Sequence, residues 1–366
     1  MPAAEAVPER EPAPLAAILS PDPANKAGGV ERMCLLLSGV LEQEGWRTRI
    51  VGPGREPGRA LFRLGAGHLE RSRLATHAAR ALSPDLIVSN GFLGMGSSRQ
   101  VPRVHVYHGT LVGDTRAEGR TLSWRERARR IAGGGAAEAL AGRGATVVAV
   151  SEAAASEARR LYGVRTDRVI PNGVDTATFR ARGQAEARHE MGLDQQGRYC
   201  LFVGRRQHRK GSDLLAPACR AAGYELLVAG ERGGDGARAL GVLGPEDLAK
   251  AYSACDCVLF PSRYEACSYV VLEALACEAP LITTRVGWVP TLLRGVPEYD
   301  ALCVRPEHGD IVRVLDRLGE IPTAELATRA RTWVVENNSL QSYAQHWREL
   351  LAGLGLPPAA RHAKRE

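Results

Sequence analysis

The amino-acid sequence predicts an α/β protein made of two doubly wound, parallel-sheet units that face each other across a cleft. Three observations carry this expectation. The chain has 366 residues, 45% hydrophobic and 24% charged, the balance of a soluble globular chain long enough for two cores. Short apolar runs alternate with amphipathic helical patterns, as expected of parallel strands covered on both faces. The alternation lapses over the polar, weakly periodic stretch 176–197 and then restarts.

In the first half the strand candidates are Leu15–Leu19, Thr48–Val51, Leu86–Ser89, Val104–Tyr107, Thr146–Val150 and Arg168–Ile170. In the second half they are Cys200–Val203, Glu225–Ala229, Val258–Phe260, Leu281–Thr283 and Ala301–Val304. Stretches such as GVERMCLLLSGVLEQEG lie between them, with apolar residues at helical spacing. The expected organisation is a lead-in 1–14, a Rossmann-like domain 15–185, a second Rossmann-like domain 195–335, a helix 336–356 crossing back, and a tail 357–366. Lead-in and tail are Pro-, Ala- and charge-rich and read as disordered. Ligands of such sheets bind at the carboxyl ends of the strands, so the chemistry is expected in the cleft.

Composition narrows the function. No run approaches the ~18 apolar residues of a membrane span, and the N-terminus lacks the basic start and apolar stretch of a secretory signal. The eight cysteines form no Cys-x-x-Cys; Cys255 and Cys257 lack further ligands nearby, so buried reduced thiols in a cytoplasmic protein are expected. Net charge is +7, and the excess sits in residues 1–190, where 27 Lys/Arg face 20 Asp/Glu. It is densest from Arg116 to Arg130. That segment suits a solvated helix face, an anionic acceptor or peripheral contact with an anionic inner membrane face. No aromatic stacking platform accompanies the arginines, which argues against nucleic acid.

The most informative segment is FPSRYEACSYVVLEALACEAPLI. A strand leads into a loop at Pro261–Cys267 and a helix from about Ser268 to Cys277, with Glu265 in the loop and Glu273 two turns inside the helix. The amides of Ala266, Cys267 and Ser268 are the free donors of that helix N-terminus, suited to a polyhydroxylated ring beside a phosphate. In YCLFVGRRQHRKGSDLL a buried strand ends at Gly204, and Arg205 and Lys210 bracket a turn before a helix, a diphosphate-binding arrangement. Arg206 and Arg209 read as solvated, and His208 as structural or exposed. VIPNGVD is a strand entering a turn at Asn172-Gly173. NKAGGVERM places Gly28 and Gly29 where a backbone can approach a ligand closely. VYHGT puts His108 just past a strand end.

In this order along one chain, the motifs resemble the family 4 retaining glycosyltransferases of the two-Rossmann (GT-B) fold, from roughly Leu15 to Leu351. Val203-Gly204-Arg205 with Lys210-Gly211, paired with Glu265 and Glu273, is the most specific part. VAVSEAAASEARRLYG followed by IPNGVD looks like the end of the family's N-terminal domain. The resemblance implies that Arg205 and Lys210 bind the diphosphate of a nucleotide sugar and neutralise the leaving group. It implies that Glu265 and the following amides hold the sugar hydroxyls and Glu273 the ribose. Gly28 and Gly29 would line the diphosphate from the other domain, His108 would contact the sugar near the reacting carbon, and Asn172 would border the cleft. Backbone groups around Val242 and Gly244 would meet the base. Ala266-Cys267-Ser268 departs from the family's Gly-Phe-Gly, and Gly287-Trp288 with Thr291 departs from its Gly-Gly and following Glu.

The expected function is transfer of a hexosyl group, with retention, from a UDP or GDP sugar to a small soluble acceptor, either anionic or natural-product-like, as in natural product biosynthesis. The motifs contain no enzymic nucleophile and no Asp-x-Asp, so no metal or other cofactor is expected. The resemblance implies that the departing phosphate oxygen helps take the acceptor proton. A lipid-linked acceptor at a membrane surface and a non-catalytic nucleotide-sugar binder are the alternatives.

Overall fold

The computed structural model describes residues 13–24, 28–54, 66–96, 100–230 and 236–356. The lead-in before residue 13 and the tail 357–366 lie outside the described residues.

Two parallel sheets form. The first takes β1 (Leu15–Leu19), β2 (Arg47–Val51), β3 (Leu86–Asn90), β4 (Arg103–Tyr107), β5 (Thr146–Ala149) and β6 (Arg168–Val169), in the spatial order 2-1-3-4-5-6. The second takes β7 (Tyr199–Val203), β8 (Glu225–Ala229), β9 (Arg238–Gly241), β10 (Cys257–Phe260) and β11 (Leu281–Thr283), in the order 11-10-7-8-9. Central strands are buried along their length because helices cover both faces; every residue of β3 and of β10 is buried, the polar Ser89 and Asn90 of β3 included. The edges β2 and β6 expose Arg47, Arg49 and Arg168, which discourages further strand addition.

Two strand expectations need correction. Arg238–Gly241 pairs with β8 although three of its four residues are exposed. As an edge strand it needs no apolar alternation, which is why its sequence is silent. Ala301–Val304 is not a strand: Pro297–Leu302 forms a 3-10 helix, and only Cys303 bridges Thr283. The Tyr299 hydroxyl accepts the Leu281 amide at 3.0 Å, so a side chain occupies a position where the carbonyl of a neighbouring strand would accept.

The units are tied together where the chain crosses back. Val174 bridges Ser339, whose hydroxyl caps the helix Leu340–Gly353 by accepting from the Ser342 amide. That helix buries Tyr343 and Trp347 and pairs Arg348 with Glu44 (2.6 Å) and Glu349 with Arg168 (3.1 Å), both of the first unit. Seven of the eight cysteines are buried and none is bonded; Cys200 and Cys257, on neighbouring strands, lie 3.5 Å apart.

Candidate active site

The carboxyl ends of both sheets meet in a charged cluster. Gly204 ends β7 with φ of +131°, a region only glycine occupies cheaply, and a Cβ there would lie 3.3 Å from Lys210 Nζ. Lys210 ends the 3-10 turn His208–Lys210, is 16% exposed, and stands 3.7 Å from Glu265 Oε1. Burial pulls its pKa down and Glu265 opposes that pull. Arg205 is exposed at the strand end.

Arg209 is not solvated. Its guanidinium lies 3.2 Å from the same Glu265 oxygen and 2.9 Å from Asp114 Oδ1, and its side chain is only 17% exposed. The turn carries it across the cleft to the helix Leu111–Glu118, and the sequence gives no hint of a partner so far away along the chain. Tyr264 crosses the same gap. Its hydroxyl accepts the Thr110 amide at 2.6 Å and donates to Glu157 at 2.5 Å.

The loop before the helix Tyr269–Ala276 is held by its carbonyls. Asn172, buried, donates from Nδ2 to the Cys267 carbonyl at 2.7 Å. Gly287 has φ of +59°, and a Cβ there would collide with the carbonyl oxygen of Ala266. Among the described residues, the amides of Ala266, Cys267 and Ser268 donate no hydrogen bond, and Ser268 as N-cap makes no side-chain cap. Glu265 and Ser268 line one small recess with Trp288. The arrangement presents unspent donors and a positive helix end beside two cations and a carboxylate.

Across the cleft, His108 Nε2 lies 2.9 Å from Asn90 Oδ1. The Asn90 amide is oriented by Nδ2 donating to the Leu19 carbonyl at 2.8 Å, so its oxygen faces the ring and Nε2 carries the proton. Burial pushes the His108 pKa down to about 4. The imidazole is therefore neutral at physiological pH, with Nδ1 unprotonated. In an NMR titration the His108 ring resonances should move with a midpoint near pH 4; a midpoint above 6 would mean that the ring is hydrated. The sign is that of a depressed group: His108 contributes stability above the usual 6.5, lost as pH falls towards about 4.

Glu273 is 1% exposed and sits against Arg32, which forms an ion pair with Oε1, while the Tyr252 hydroxyl donates to Oε2 at 3.1 Å. Burial raises its carboxyl pKa and Arg32 opposes the rise. Arg32 lies in the first turn of the helix Gly29–Gln43 and also covers the Tyr269 ring at 4.5 Å. Gly28 is the N-cap of that helix, and a Cβ at Gly29 would meet no protein atom within 4 Å, so packing does not demand glycine there. Val242 is 76% exposed beyond β9, and Gly244 is the N-cap of the helix Pro245–Ala254. Among the described residues no three His, Cys, Asp or Glu side chains converge as a metal-ligand set.

Sequence reasoning missed Arg32, Asn90, Asp114, Arg209, Tyr252 and Tyr264. Arg32 carried the one available signal, a cation three residues past a Gly-Gly at a helix start.

Two family models match the chain, Glycosyltransferase Family 4 over residues 27–178 and Glycosyl transferases group 1 over residues 197–320. The chain belongs to the family 4 glycosyltransferases. Family members similar to it include the D-inositol 3-phosphate glycosyltransferase of Segniliparus rotundus, 34% identical over 217 residues, or 52% of this chain and 47% of that one. Its counterpart in Mycobacterium sp. (strain JLS) is 36% identical over 171 residues, covering 41% and 38%. The matches span half or less of those relatives' length. Sucrose-phosphate synthase from Thermosynechococcus elongatus superposes with a TM-score of 0.75 at 22% identity, over 93% of this chain and 99% of that one. Anabaena HepE, solved with UDP and glucose, gives 0.66 at 18%, over 93% and 100%. The GT-B fold is thereby shared. No helix among the described residues is long and apolar enough to cross a membrane.

Proposed function

We propose that the chain transfers a hexosyl unit, with retention and without a metal, from a UDP or GDP sugar to a small anionic polyol. The observation that carries this is the meeting of Lys210, Glu265 and the unspent amides of Ala266, Cys267 and Ser268 at one strand edge, opposite neutral His108. Breaking the bond between the anomeric carbon and the phosphate oxygen leaves negative charge on the diphosphate. Lys210, with Arg205 at the mouth and the helix N-terminus, stabilises that charge in a site already organised for it. Glu265 and the amides orient the sugar hydroxyls, and His108 offers Nδ1 as an acceptor near the reacting carbon. The ribose shares Glu273 with Arg32. Gly28 and Gly29 leave room for the diphosphate, Asn172 holds the loop in place, and the groups around Val242 and Gly244 are open to the base. The departing phosphate oxygen takes the acceptor hydroxyl proton as the new bond forms on the same face. The anionic polyol rests on the basic first half and on the acceptor named for the inositol-phosphate relatives.

A thermal-shift screen against UDP, GDP, ADP and dTDP tests the reading. At a hundredfold excess over Kd a specific nucleotide stabilises by about 2.7 kcal/mol, a shift of several degrees. One nucleotide should give that shift and lose it in Lys210→Ala; no shift with any of the four would overturn the proposal and favour a scaffold.

One observation supports a membrane-surface variant of this reading. Trp124 is 72% exposed within the Arg116–Arg130 segment, with Arg125 over its ring at 5.4 Å and Arg116 and Arg127 exposed around it. An indole among arginines suits an anionic lipid interface. Cosedimentation with phosphatidylserine vesicles that weakens with salt would favour it, and absence of cosedimentation would remove it.

A further inference from the structure

Two glycines of the first unit make room for one tyrosine of the second. A Cβ on Gly113 would stand 2.5 Å from Tyr264 Cε2, and one on Gly109 would stand 2.7 Å from the Tyr264 hydroxyl. Gly113 lies inside the helix Leu111–Glu118, where glycine weakens the helix, and its φ is not positive, so the backbone does not require it. The ring from across the cleft supplies the reason. Gly109, with φ of +90°, directly follows His108. The two glycines form a socket for the aromatic ring. At its end the hydroxyl accepts the Thr110 amide at 2.6 Å and donates to Glu157 at 2.5 Å.

The seated ring matters because of its neighbour, Glu265. The loop before it is anchored in its own unit: Thr284 donates to the Ser262 carbonyl at 2.5 Å, and Arg263 pairs with Asp213 at 2.7 and 2.9 Å. Glu265 itself lies between two ties to the first unit, Tyr264 in its socket and the Cys267 carbonyl on Asn172. Its side chain is referenced to the same place. Arg209 holds Glu265 Oε1 at 3.2 Å and Asp114 at 2.9 Å, and Asp114 follows Gly113 on the socket helix. Backbone and carboxylate of Glu265 are thus both set against one helix across the cleft. We propose that Tyr264 is a positioning residue: its ring, seated on Gly109 and Gly113, sets the adjacent Glu265 carboxylate in the cleft, so the site is assembled only when the two units are docked. The consequence for turnover rests on the glycosyl-transfer reading; the seating of the ring does not.

Two measurements on the full chain test it. Thermal unfolding of the wild type, Gly113→Ala, Tyr264→Ala and the double variant reads the seating without any substrate. With Tyr264 in place, Gly113→Ala should lower Tm, because the methyl strikes the ring. In the Tyr264→Ala background the same change should raise Tm, because the socket is empty and alanine is the better helix former. Any result without that reversal of sign would overturn the proposal. Turnover, read as UDP or GDP released from UDP-glucose or GDP-mannose, tests the positioning. Tyr264→Phe keeps the ring and loses both hydroxyl bonds. It should lower kcat by about ten- to a hundredfold, the effect of displacing a group at the reacting centre by up to an ångström, with KM for the donor changed less than about threefold. A kcat within about threefold of wild type would overturn the positioning role, since a purely structural contact would move Tm alone. If the wild type turns over neither donor, the transfer reading fails, and the reversal of sign in Tm then upholds or overturns the docking of Tyr264 by itself.

Discussion

Replacing Lys210 by alanine is expected to lower kcat by about 10²- to 10³-fold, the usual effect of deleting one preorganised electrostatic group from a water-poor site. The physical basis is its position. The ammonium is 16% exposed and has Glu265 at 3.7 Å, so its charge is poorly screened and already aimed at the cleft. Arg205 makes an internal control. It is exposed, water screens it, and Arg205→Ala should cost less than tenfold. Both rates are read as nucleotide released from the sugar donor that the thermal-shift screen identifies. A Lys210→Ala kcat within threefold of wild type would remove Lys210 from the leaving-group site.

Arg32→Met is expected to give the largest loss of stability, about 3–5 kcal/mol, because it strands a buried carboxylate. Glu273 is 1% exposed, and its remaining neutral partner, the Tyr252 hydroxyl, cannot replace a cation. Methionine keeps most of the contact with Tyr269, so the loss reports charge rather than packing. For 366 residues this corresponds to a Tm lower by about 4–7 °C. Glu273→Gln in the same background should recover most of it, since an amide needs no counter-charge.

The pH dependence of that loss follows from the direction of the Glu273 shift. Its folded pKa is raised above the ordinary 4.5, and without Arg32 it rises further. Between 4.5 and the raised value the folded chain holds a proton that the unfolded chain has released, so stability falls as pH increases through that window. The Tm deficit of Arg32→Met should be small near pH 4.5 and full at pH 8. It should be independent of pH in the double variant. A deficit that does not change with pH in the single variant would mean that Glu273 is already neutral in the wild type.

Much of the site's chemistry could be read locally. Gly204, Lys210, Glu265 and Glu273 are each set by a strand, a turn or a helix start within a few residues, and those elements form. The partners could not be read so. Arg209 looks like any surface arginine until the turn His208–Lys210 lays it on Asp114. Glu273 reads only as a carboxylate two turns inside a helix, with no cation near it in the sequence, until the first unit delivers Arg32. Tyr264 lies inside the most informative segment, yet its role depends on Thr110 and Glu157. The edge strand β9 went unseen for a related reason: its residues are exposed, so its pairing leaves no apolar pattern.

By itself the sequence determined the α/β class, the restart into a second parallel sheet, and the strand-end positions of the glycines, cations and glutamates. These follow from periodicity and turn chemistry, which act over a few residues. Only the tertiary structure decided how the units meet: Arg32 on Glu273, Arg209 between Glu265 and Asp114, and Tyr264 against Thr110. Each of these contacts joins residues on opposite sides of the cleft or far apart along the chain. Their energies depend on burial and distance, which no local pattern encodes.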